Sequence, residues 1–215
     1  MKKVEYQYQT DHSGAHHQYL IPQIQQLLAK YQPKSPQPLR LLDLGCGNGS
    51  LSHYLASQGY VVVGVDDSFT GIQVAQISFP DCEFRQVSVY DLGETDLGEP
   101  FDVIISVEVI EHLLYPKELI KAAQKHLKPD GCLIVTTPYH GYWKNLALAI
   151  TGKMDQHFGV DWDGGHIKFF SVPTLSQLLI NHGFTDLEFA FAGRLPYLWK
   201  SMLVAAKSAP VTAKP

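Results

Sequence analysis

The sequence predicts an α/β protein with a doubly wound, mostly parallel sheet. Short segments rich in valine, isoleucine and leucine alternate along the 215 residues with segments whose leucines and alanines recur at helical spacing. This alternation is typical of parallel sheets that carry helices on both faces. The first four apolar segments are followed by Gly45, Asp66, Asp91 and Glu108. Because the carboxyl ends of parallel strands meet at one edge, these residues predict a single ligand site there.

The first strand leads into a glycine turn with the sequence Gly45-Cys46-Gly47-Asn48-Gly49-Ser50. Glycine lacks a Cβ, so the backbone of such a turn can close tightly on a ligand. The helix that begins at Ser50 opens with free N–H groups, which favour an anionic group. A dinucleotide-binding turn would have its third glycine at position 50, where this chain has serine. The turn therefore predicts a nucleotide-type cofactor and argues against a nicotinamide dehydrogenase.

Asp43 lies at the buried end of the same strand, two residues before Gly45. A buried carboxylate is costly unless it has a partner of opposite charge. The pyrophosphate of a dinucleotide is a poor neighbour for it, whereas an ammonium group is a good one. S-adenosylmethionine (SAM) carries an α-ammonium and an α-carboxylate on its methionine part. We therefore predict SAM as the cofactor, held by Asp43 and by the turn residues Gly45, Cys46 and Gly47.

The segment from Leu42 to Gly49 resembles motif I of the class I SAM-dependent methyltransferases. The resemblance covers residues 38–207 and implies a Rossmann-like sheet of seven strands in the order 3-2-1-4-5-7-6, with the seventh strand antiparallel. It also implies S-adenosylhomocysteine as product. Two further stretches, Glu108–Leu113 and Gly165–Ser171, are similar to the quinone-biosynthesis O-methyltransferase branch of that family.

The strands and helices are predicted from the same patterns. The predicted strands are Leu39–Leu44, Tyr60–Val65, Glu83–Val89, Phe101–Val107, Cys132–Thr137, Phe184–Phe191 and Ser201–Lys207. Helices are predicted over about 14–31, 50–57, 69–79 and 142–154, with two more that start at Pro116 and near Ser171. Lys128–Gly131 is predicted as a turn.

The predicted elements divide the chain into an N-terminal helical cap (1–38), a SAM-binding domain (39–207) and a flexible tail (208–215). A lid insertion over 139–170 interrupts the domain after the fifth strand. The cap helix has apolar residues at helical spacing and is expected to cover the sheet. Its start is rich in tyrosine and histidine, and the alternative for that part is a flap over the active site.

The acidic residues at the strand ends are expected to bind the cofactor. Asp66 lies about 20 residues beyond the glycine turn, where a carboxylate accepts from ribose hydroxyls. Asp67 or Ser68 can cap the following helix, and this role can coexist with ribose binding by Asp66. The resemblance implies that Asp91 accepts from the adenine amino group. We expect the remaining cofactor contacts to come from residues adjoining these acids, namely Asp67, Tyr90, Val107 and Glu108.

The long insertion is expected to form the acceptor pocket, because it is too aromatic to be disordered. Its expected wall consists of Tyr139, Tyr142, Trp162 and Phe169. A hydroxyl acceptor must lose a proton, and histidine is the usual base near neutral pH. His166 and His112 are the first candidates for that base. His140 and the N-terminal histidines at positions 12, 16 and 17 are the others.

Two further predictions concern a metal ion and a membrane. Glu108, Glu111 and His112 offer metal ligands, but we expect no metal. In that interpretation Glu108 contacts the cofactor or acceptor, and Glu111 and His112 form local hydrogen bonds. The insertion helix over 142–154 has an apolar stripe near Lys144 and Lys153, which is compatible with a lid or with weak membrane contact.

Composition narrows the partners and the function classes. The net charge is -4 and the pI is about 6.2, which argues against a nucleic-acid substrate. The three cysteines fit neither a zinc pattern nor a full disulfide framework. We find no signal-like or membrane-spanning run and expect a cytoplasmic protein.

The predicted function is methyl transfer to an oxygen atom of a small molecule, which is a phenol-like, quinol-like or carboxylate compound. The alternatives are a C- or N-methyltransferase and a SAM-binding protein without catalysis.

Overall fold

In the computed structural model, which describes residues 6–35 and 37–209, seven strands form one sheet. The strands are β1 (Arg40–Leu44), β2 (Val61–Asp66), β3 (Glu83–Gln86), β4 (Phe101–Val107), β5 (Leu127–Pro138), β6 (Phe184–Ala192) and β7 (Ser201–Ser208). Their order is β3-β2-β1-β4-β5-β7-β6. The strands β1 to β5 pair in parallel, and β7 is antiparallel to both β5 and β6. The predicted fold class and strand order are thus confirmed.

Helices cover both faces of the sheet. They are α1 (His17–Tyr31), α2 (Ser50–Ser57), α3 (Phe69–Ser78), α4 (Pro116–His126), α5 (Tyr142–Ile150), α6 (Met154–His157) and α7 (Val172–Ile180), with a short 3₁₀ helix at Ile110–His112. Successive strand residues point to opposite faces. Accordingly Leu42 and Leu44 pack in a core with α4 and α7, whereas Leu41 packs with α1 and α2 on the other side.

Several strand boundaries differ from the predictions by one residue, and three boundaries outside the insertion differ by three residues or more for local reasons. Helix α1 starts at His17, because a turn closed by the His17 N–H and the Gly14 carbonyl precedes it. Strand β3 ends at Gln86, because the Asp91 N–H donates to the Ser88 carbonyl and the chain turns there. Strand β5 starts at Leu127, and the predicted turn is a bulge within it, where Asp130 has a φ of 61°.

The insertion after β5 contains two short helices where the sequence predicts one. Helix α5 ends at Ile150, and Gly152 has a φ of 64° in the turn before α6. Only glycine adopts this left-handed conformation readily. The insertion returns to the sheet edge through Ile167 and Lys168, whose N–H groups both donate to the Glu111 carbonyl.

The predicted C-terminal tail and N-terminal cap lie partly outside the described residues. The predicted tail begins at residue 208, and its part beyond 209 lies outside the described residues, as do residues 1–5 of the cap. None of the helices in the described ranges combines the length and the apolar composition that crossing a bilayer requires.

Candidate cofactor and acceptor site

A cavity of about 620 Å³ lies at the carboxyl ends of β1, β2 and β4, and we call it the donor cavity. Most of the predicted site residues meet there. The ones that line it are Asp43, Gly45, Cys46, Gly47, Asp66, Val107, Glu108, His112 and His166. The other predicted cofactor residues, Asp67, Tyr90 and Asp91, do not line it.

The glycine turn and Asp66 are joined by hydrogen bonds. Gly47 has a φ of 54°, and its N–H donates to Asp66 Oδ2 over 2.8 Å. The Ser68 N–H donates to Asp66 Oδ1 over 2.7 Å, and Ser68 caps α3 by accepting from the Gly71 N–H. Of the two predicted caps, the structure therefore uses Ser68. Asp66 holds the turn and the start of α3 in place while its carboxylate lines the cavity.

Asp43 is almost completely buried, with 1% of its surface exposed. Its described hydrogen-bond partner is the Ser52 hydroxyl, which donates to Oδ2 over 2.6 Å. Burial, together with the charge of Asp66, raises the pKa of Asp43 to about 7, although the Ser52 bond opposes the shift. A cationic group in the cavity would stabilise the ionised form. The site thus has the charge that a ligand ammonium requires.

Tyr90, Asp91 and Asp67 make other contacts in the structure and do not line the donor cavity. Tyr90 and Asp91 are exposed, and the Tyr90 hydroxyl accepts from the backbone N–H groups of Leu114 and Tyr115. The Asp67 carbonyl accepts from Gln86. Cofactor contacts by these three residues remain predictions.

The N-terminal segment forms one wall of the donor cavity. Tyr6, Tyr8 and the histidines at positions 12, 16 and 17 line it. The Asn48 amide donates to the carbonyls of Thr10 and His12 over 2.8 and 2.9 Å. A Cβ at Gly47 would lie 2.5 Å from the Tyr8 hydroxyl, so glycine is required for this approach. The segment is therefore positioned as the flap that its aromatic sequence suggested, while α1 covers the sheet.

A second cavity of about 320 Å³ adjoins the first, and we call it the acceptor cavity. Glu108, Trp162 and His166 line both cavities. Of the predicted acceptor wall, Trp162 and Phe169 face this space. Tyr139 instead packs against Phe191 and Trp199. Tyr142 is exposed on α5 and lines neither cavity.

Glu108 lies at the junction of the two cavities with a φ of 55°, which is uncommon for a residue with a side chain. Its carboxylate accepts from the hydroxyls of Thr136 and Ser201 over 2.8 and 3.3 Å. Burial raises its pKa to about 7, against the effect of these two bonds. Near neutral pH, Glu108 therefore carries only part of a negative charge.

His112 and His166 lie side by side, with ring centroids 4.8 Å apart. His112 Nδ1 lies 2.7 Å from the Gly164 carbonyl, so this nitrogen carries a hydrogen and donates it. Burial and the neighbouring His112 lower the pKa of His166 to about 4. His166 is consequently neutral at pH 7 and can accept a proton from a bound ligand.

Glu111 is fully buried beneath the two histidines. Its carboxylate oxygens have no hydrogen-bond partner among the described residues, and Oε1 lies 3.9 Å from His166 Nε2, so the local hydrogen bond expected of this side chain stays a prediction. Burial and the charge of Glu108 raise its pKa well above the usual range. The cluster of ligand atoms within 4.8 Å of one another consists of Glu111, His112 and His166, because Glu108 is turned towards Thr136. Two imidazoles and one carboxylate are a donor set that suits a divalent cation.

Comparison with a family model decides the relationship of the chain. The model, described as a methyltransferase domain, matches residues 15–188. The chain belongs to this methyltransferase domain family. This confirms the family that the glycine turn and its surroundings indicated.

The methyltransferase domain has sequence relatives named ubiquinone biosynthesis O-methyltransferase. The one from Brucella anthropi is 37% identical over 137 residues, which cover 60% of this chain and 54% of the relative. The one from Bartonella quintana is 39% identical over 158 residues, which cover 70% of this chain and 62% of the relative. The chain thus spans between half and two thirds of the length of these relatives.

Solved methyltransferases share the fold. Magnesium protoporphyrin IX methyltransferase from Synechocystis PCC 6803, solved with bound S-adenosylhomocysteine, matches with a TM-score of 0.67 at 19% identity over 90% of this chain and 84% of that one. A SAM-dependent methyltransferase from Archaeoglobus fulgidus matches with a TM-score of 0.66 at 16% identity, over 87% and 92% of the two chains. At these identities the likeness concerns the fold.

Three cations that line the acceptor cavity were missed as site residues, namely Lys144, Arg194 and Lys200. The sequence suggested Lys144 as a flank of a surface stripe, whereas the structure buries it and places it in the acceptor cavity. Arg194, in the connection between β6 and β7, lines the same cavity. A lysine within an apolar helical stripe was the available signal for the first. No local sequence pattern indicates Arg194 as a site residue. It reaches the acceptor cavity only because β7 pairs antiparallel with both β5 and β6.

Proposed function

We propose that this chain transfers a methyl group from SAM to an oxygen atom of a small-molecule acceptor. The observation that carries the proposal is the shared wall of the donor and acceptor cavities, formed by Glu108, Trp162 and His166. Because the two cavities adjoin at these residues, the methyl group of a bound SAM would lie next to the acceptor oxygen. The sequence relatives named O-methyltransferases support oxygen as the receiving atom.

The donor cavity has groups for each part of SAM. Asp43 would receive the α-ammonium, because it is a buried carboxylate with one described hydrogen bond. The glycine turn at the start of α2 would receive the α-carboxylate. Asp66 would accept from the ribose hydroxyls, in addition to the two backbone N–H groups that it already holds. Asp67, Tyr90 and Asp91 would contact the adenine end, and Cys46 and Val107 supply apolar surface.

The chemistry requires alignment and one proton acceptor. The cofactor supplies a methyl group activated by its sulfonium. Holding the acceptor in line with it can lower the barrier by roughly 7–11 kcal/mol. Neutral His166 takes the acceptor proton, a contribution of about 10²–10⁴ in rate. Tyr6, Tyr8 and Trp162 line the space and would exclude water from it once the ligands are bound.

The acceptor is a phenol-like, quinol-like or carboxylate compound rather than a nucleic acid, since the net charge of -4 is unfavourable for phosphate backbones. We also propose weak membrane contact through residues 142–154. Tyr142, Trp143 and Ile150 are exposed on α5, and Lys153 follows them. Such a surface can lie at a lipid interface.

The test is a turnover assay with SAM and a panel of phenols, catechols and carboxylic acids. We expect S-adenosylhomocysteine and the methylated compound to form in equal amounts with at least one class. Tight binding of SAM without turnover of any class would indicate a non-catalytic SAM-binding protein. Methylation at carbon or nitrogen would replace the oxygen assignment.

A further inference from the structure

Lys144 is a buried cation whose nearest counter-charge, Glu108, interacts with it only at a distance: burial and Arg194 lower the pKa of Lys144 to about 8, and the charge of Glu108 opposes this shift. Only 5% of its surface is exposed, although its helix α5 has exposed side chains on either side of it. Its Nζ donates to the Tyr139 carbonyl over 2.8 Å, and among the described residues it has no ion pair. A buried ammonium is costly unless a counter-charge compensates it. The side chain lines the acceptor cavity, so a bound molecule can supply that charge.

Arg194 is a second cation without a described partner. It makes no hydrogen bond or ion pair with any of the residues that the structure describes. Its φ is 65°, and it follows Gly193 at 71°. The turn is closed by the Lys200 N–H, which donates to the carbonyls of Ala192 and Gly193. This unusual backbone conformation places Arg194 in the wall of the acceptor cavity.

The two cations also line a third space. An apolar groove of about 450 Å³ is lined by Ala147, Leu148, Leu195 and Leu198 together with Lys144 and Arg194. The acceptor cavity thus shares Glu108 and His166 with the donor cavity, and Lys144 and Arg194 with the groove. Lys144 and Arg194 thus belong to the walls of both the acceptor cavity and the groove.

The charges of the acceptor cavity are unequal. Among its described lining residues, Lys144, Arg194 and Lys200 are cationic and Glu108 is the single carboxylate. The oxygens of Glu108 are already hydrogen-bonded to Thr136 and Ser201. The cavity therefore has an excess of positive charge, in contrast to the acidic donor cavity beside it.

We propose that the methyl acceptor is an anion whose carboxylate or phosphate group binds between Lys144 and Arg194. Its methyl-accepting oxygen lies at His166, and its apolar part lies in the groove beyond the two cations. The planar guanidinium can hold such an oxyanion with two parallel hydrogen bonds, and the lysine adds a point charge. The inference rests on the proposed function in one respect, namely that this cavity receives the acceptor.

Calorimetric titration of paired ligands tests the proposal. The panel consists of hydroxylated aryl and alkyl carboxylates, each paired with its methyl ester, and of phosphate monoesters, each paired with the parent alcohol. The protein is saturated with S-adenosylhomocysteine. We expect at least one acid to bind about tenfold more tightly than its neutral partner. Whether carboxylates or phosphates show this preference identifies the oxyanion.

Three variants test whether Lys144 and Arg194 cause the tighter binding of the acid. Lys144→Met keeps the volume of the side chain and removes the charge, and Arg194→Gln changes an exposed side chain that the fold does not require. We expect each to reduce the preference to below about threefold. Lys153→Met is the matched control, an exposed lysine outside all three cavities, and should retain it. If no acid of the panel binds more tightly than its neutral partner, or if the preference persists in both variants, the proposal is wrong.

A parallel titration with S-adenosylhomocysteine separates this inference from the proposed function. Unchanged affinity in the variants shows that the donor cavity is intact. If the wild-type protein does not bind S-adenosylhomocysteine, the proposed function fails. The acid preference can then still be measured on the ligand-free protein.

Discussion

Asp43 contributes a carboxylate whose charge depends on the ligand. Its pKa in the ligand-free protein is raised to about 7, mainly by burial. A ligand ammonium favours the ionised form and lowers this pKa, so binding below pH 7 must release a proton. The affinity for S-adenosylhomocysteine should therefore fall by about fivefold when the pH is lowered from 7 to 6.

Titration calorimetry in buffers of different ionisation enthalpy measures the released proton. Asp43→Asn should bind more weakly at pH 7.5 and lose the dependence between pH 6 and 7. Asp81→Asn, a control at an exposed carboxylate outside the donor cavity and without a proposed cofactor contact, should keep it. Equal affinities of the wild-type protein at pH 6 and 7 would remove Asp43 from contact with the ammonium.

His166 is predicted to be the base of the reaction. It lines both cavities, and its lowered pKa of about 4 keeps it neutral across the physiological range. His166→Gln should lower turnover by about 10²-fold or more and leave the affinity for S-adenosylhomocysteine unchanged. The control is His182→Gln, at the end of α7 and outside both cavities, which should retain turnover. Turnover close to wild type between pH 6 and 9 would give His166 a structural role.

The same turnover assay with a chelator tests the metal-free interpretation. Burial favours the neutral form of Glu111, which reduces its need for a cation, and His166 remains available to accept a proton. We therefore expect activity to be unaffected by chelation. Loss of activity that magnesium or zinc restores would assign Glu111, His112 and His166 to a divalent cation.

At the scale of elements, helix α5 has two different faces. Lys144 points into the acceptor cavity, whereas Trp143 and Ile150 are exposed by 59% and 75%. If the exposed face contacts lipid, the protein should co-sediment with vesicles that contain anionic lipid. Replacement of Trp143 and Ile150 by serine should abolish co-sedimentation.

The control for the vesicle experiment is Val160→Ser, an exposed apolar residue of the insertion outside α5, which should behave like the wild-type protein. If the wild-type protein co-sediments no more than the double variant does, α5 does not contact the membrane and its role is that of a lid.

Element boundaries were predictable where local chemistry determines them. Helix α2 begins at Ser50 and strand β4 spans Phe101–Val107 as predicted, because a glycine turn and an uninterrupted apolar run mark their ends. The division of the insertion into two helices was not predictable, because the apolar stripe of α5 continues past the Gly152 turn. The β5 bulge was not predictable either, since its start depends on the pairing of Leu127 with Phe101 in β4.

At the scale of the whole molecule, the sequence locates the donor cavity better than the acceptor cavity. Gly45, Asp66 and Glu108 end neighbouring parallel strands, so their meeting follows from the fold class. The full strand order required the family resemblance. Arg194 enters the acceptor cavity through the antiparallel pairing of β7, and Lys144 enters it through the rotation of α5. Neither arrangement can be derived from local sequence.

The central claim is that the carboxyl edge of the sheet binds SAM, and competitive titration with SAM and NAD tests it most directly. We predict that SAM binds with one site per chain and that NAD does not bind. Asp66→Ala should weaken SAM binding by about tenfold or more, because charge-assisted bonds to ribose contribute about 1.5–3 kcal/mol each. Circular dichroism confirms that the variant is folded. Binding of NAD, or unchanged SAM affinity in the folded variant, would contradict the claim.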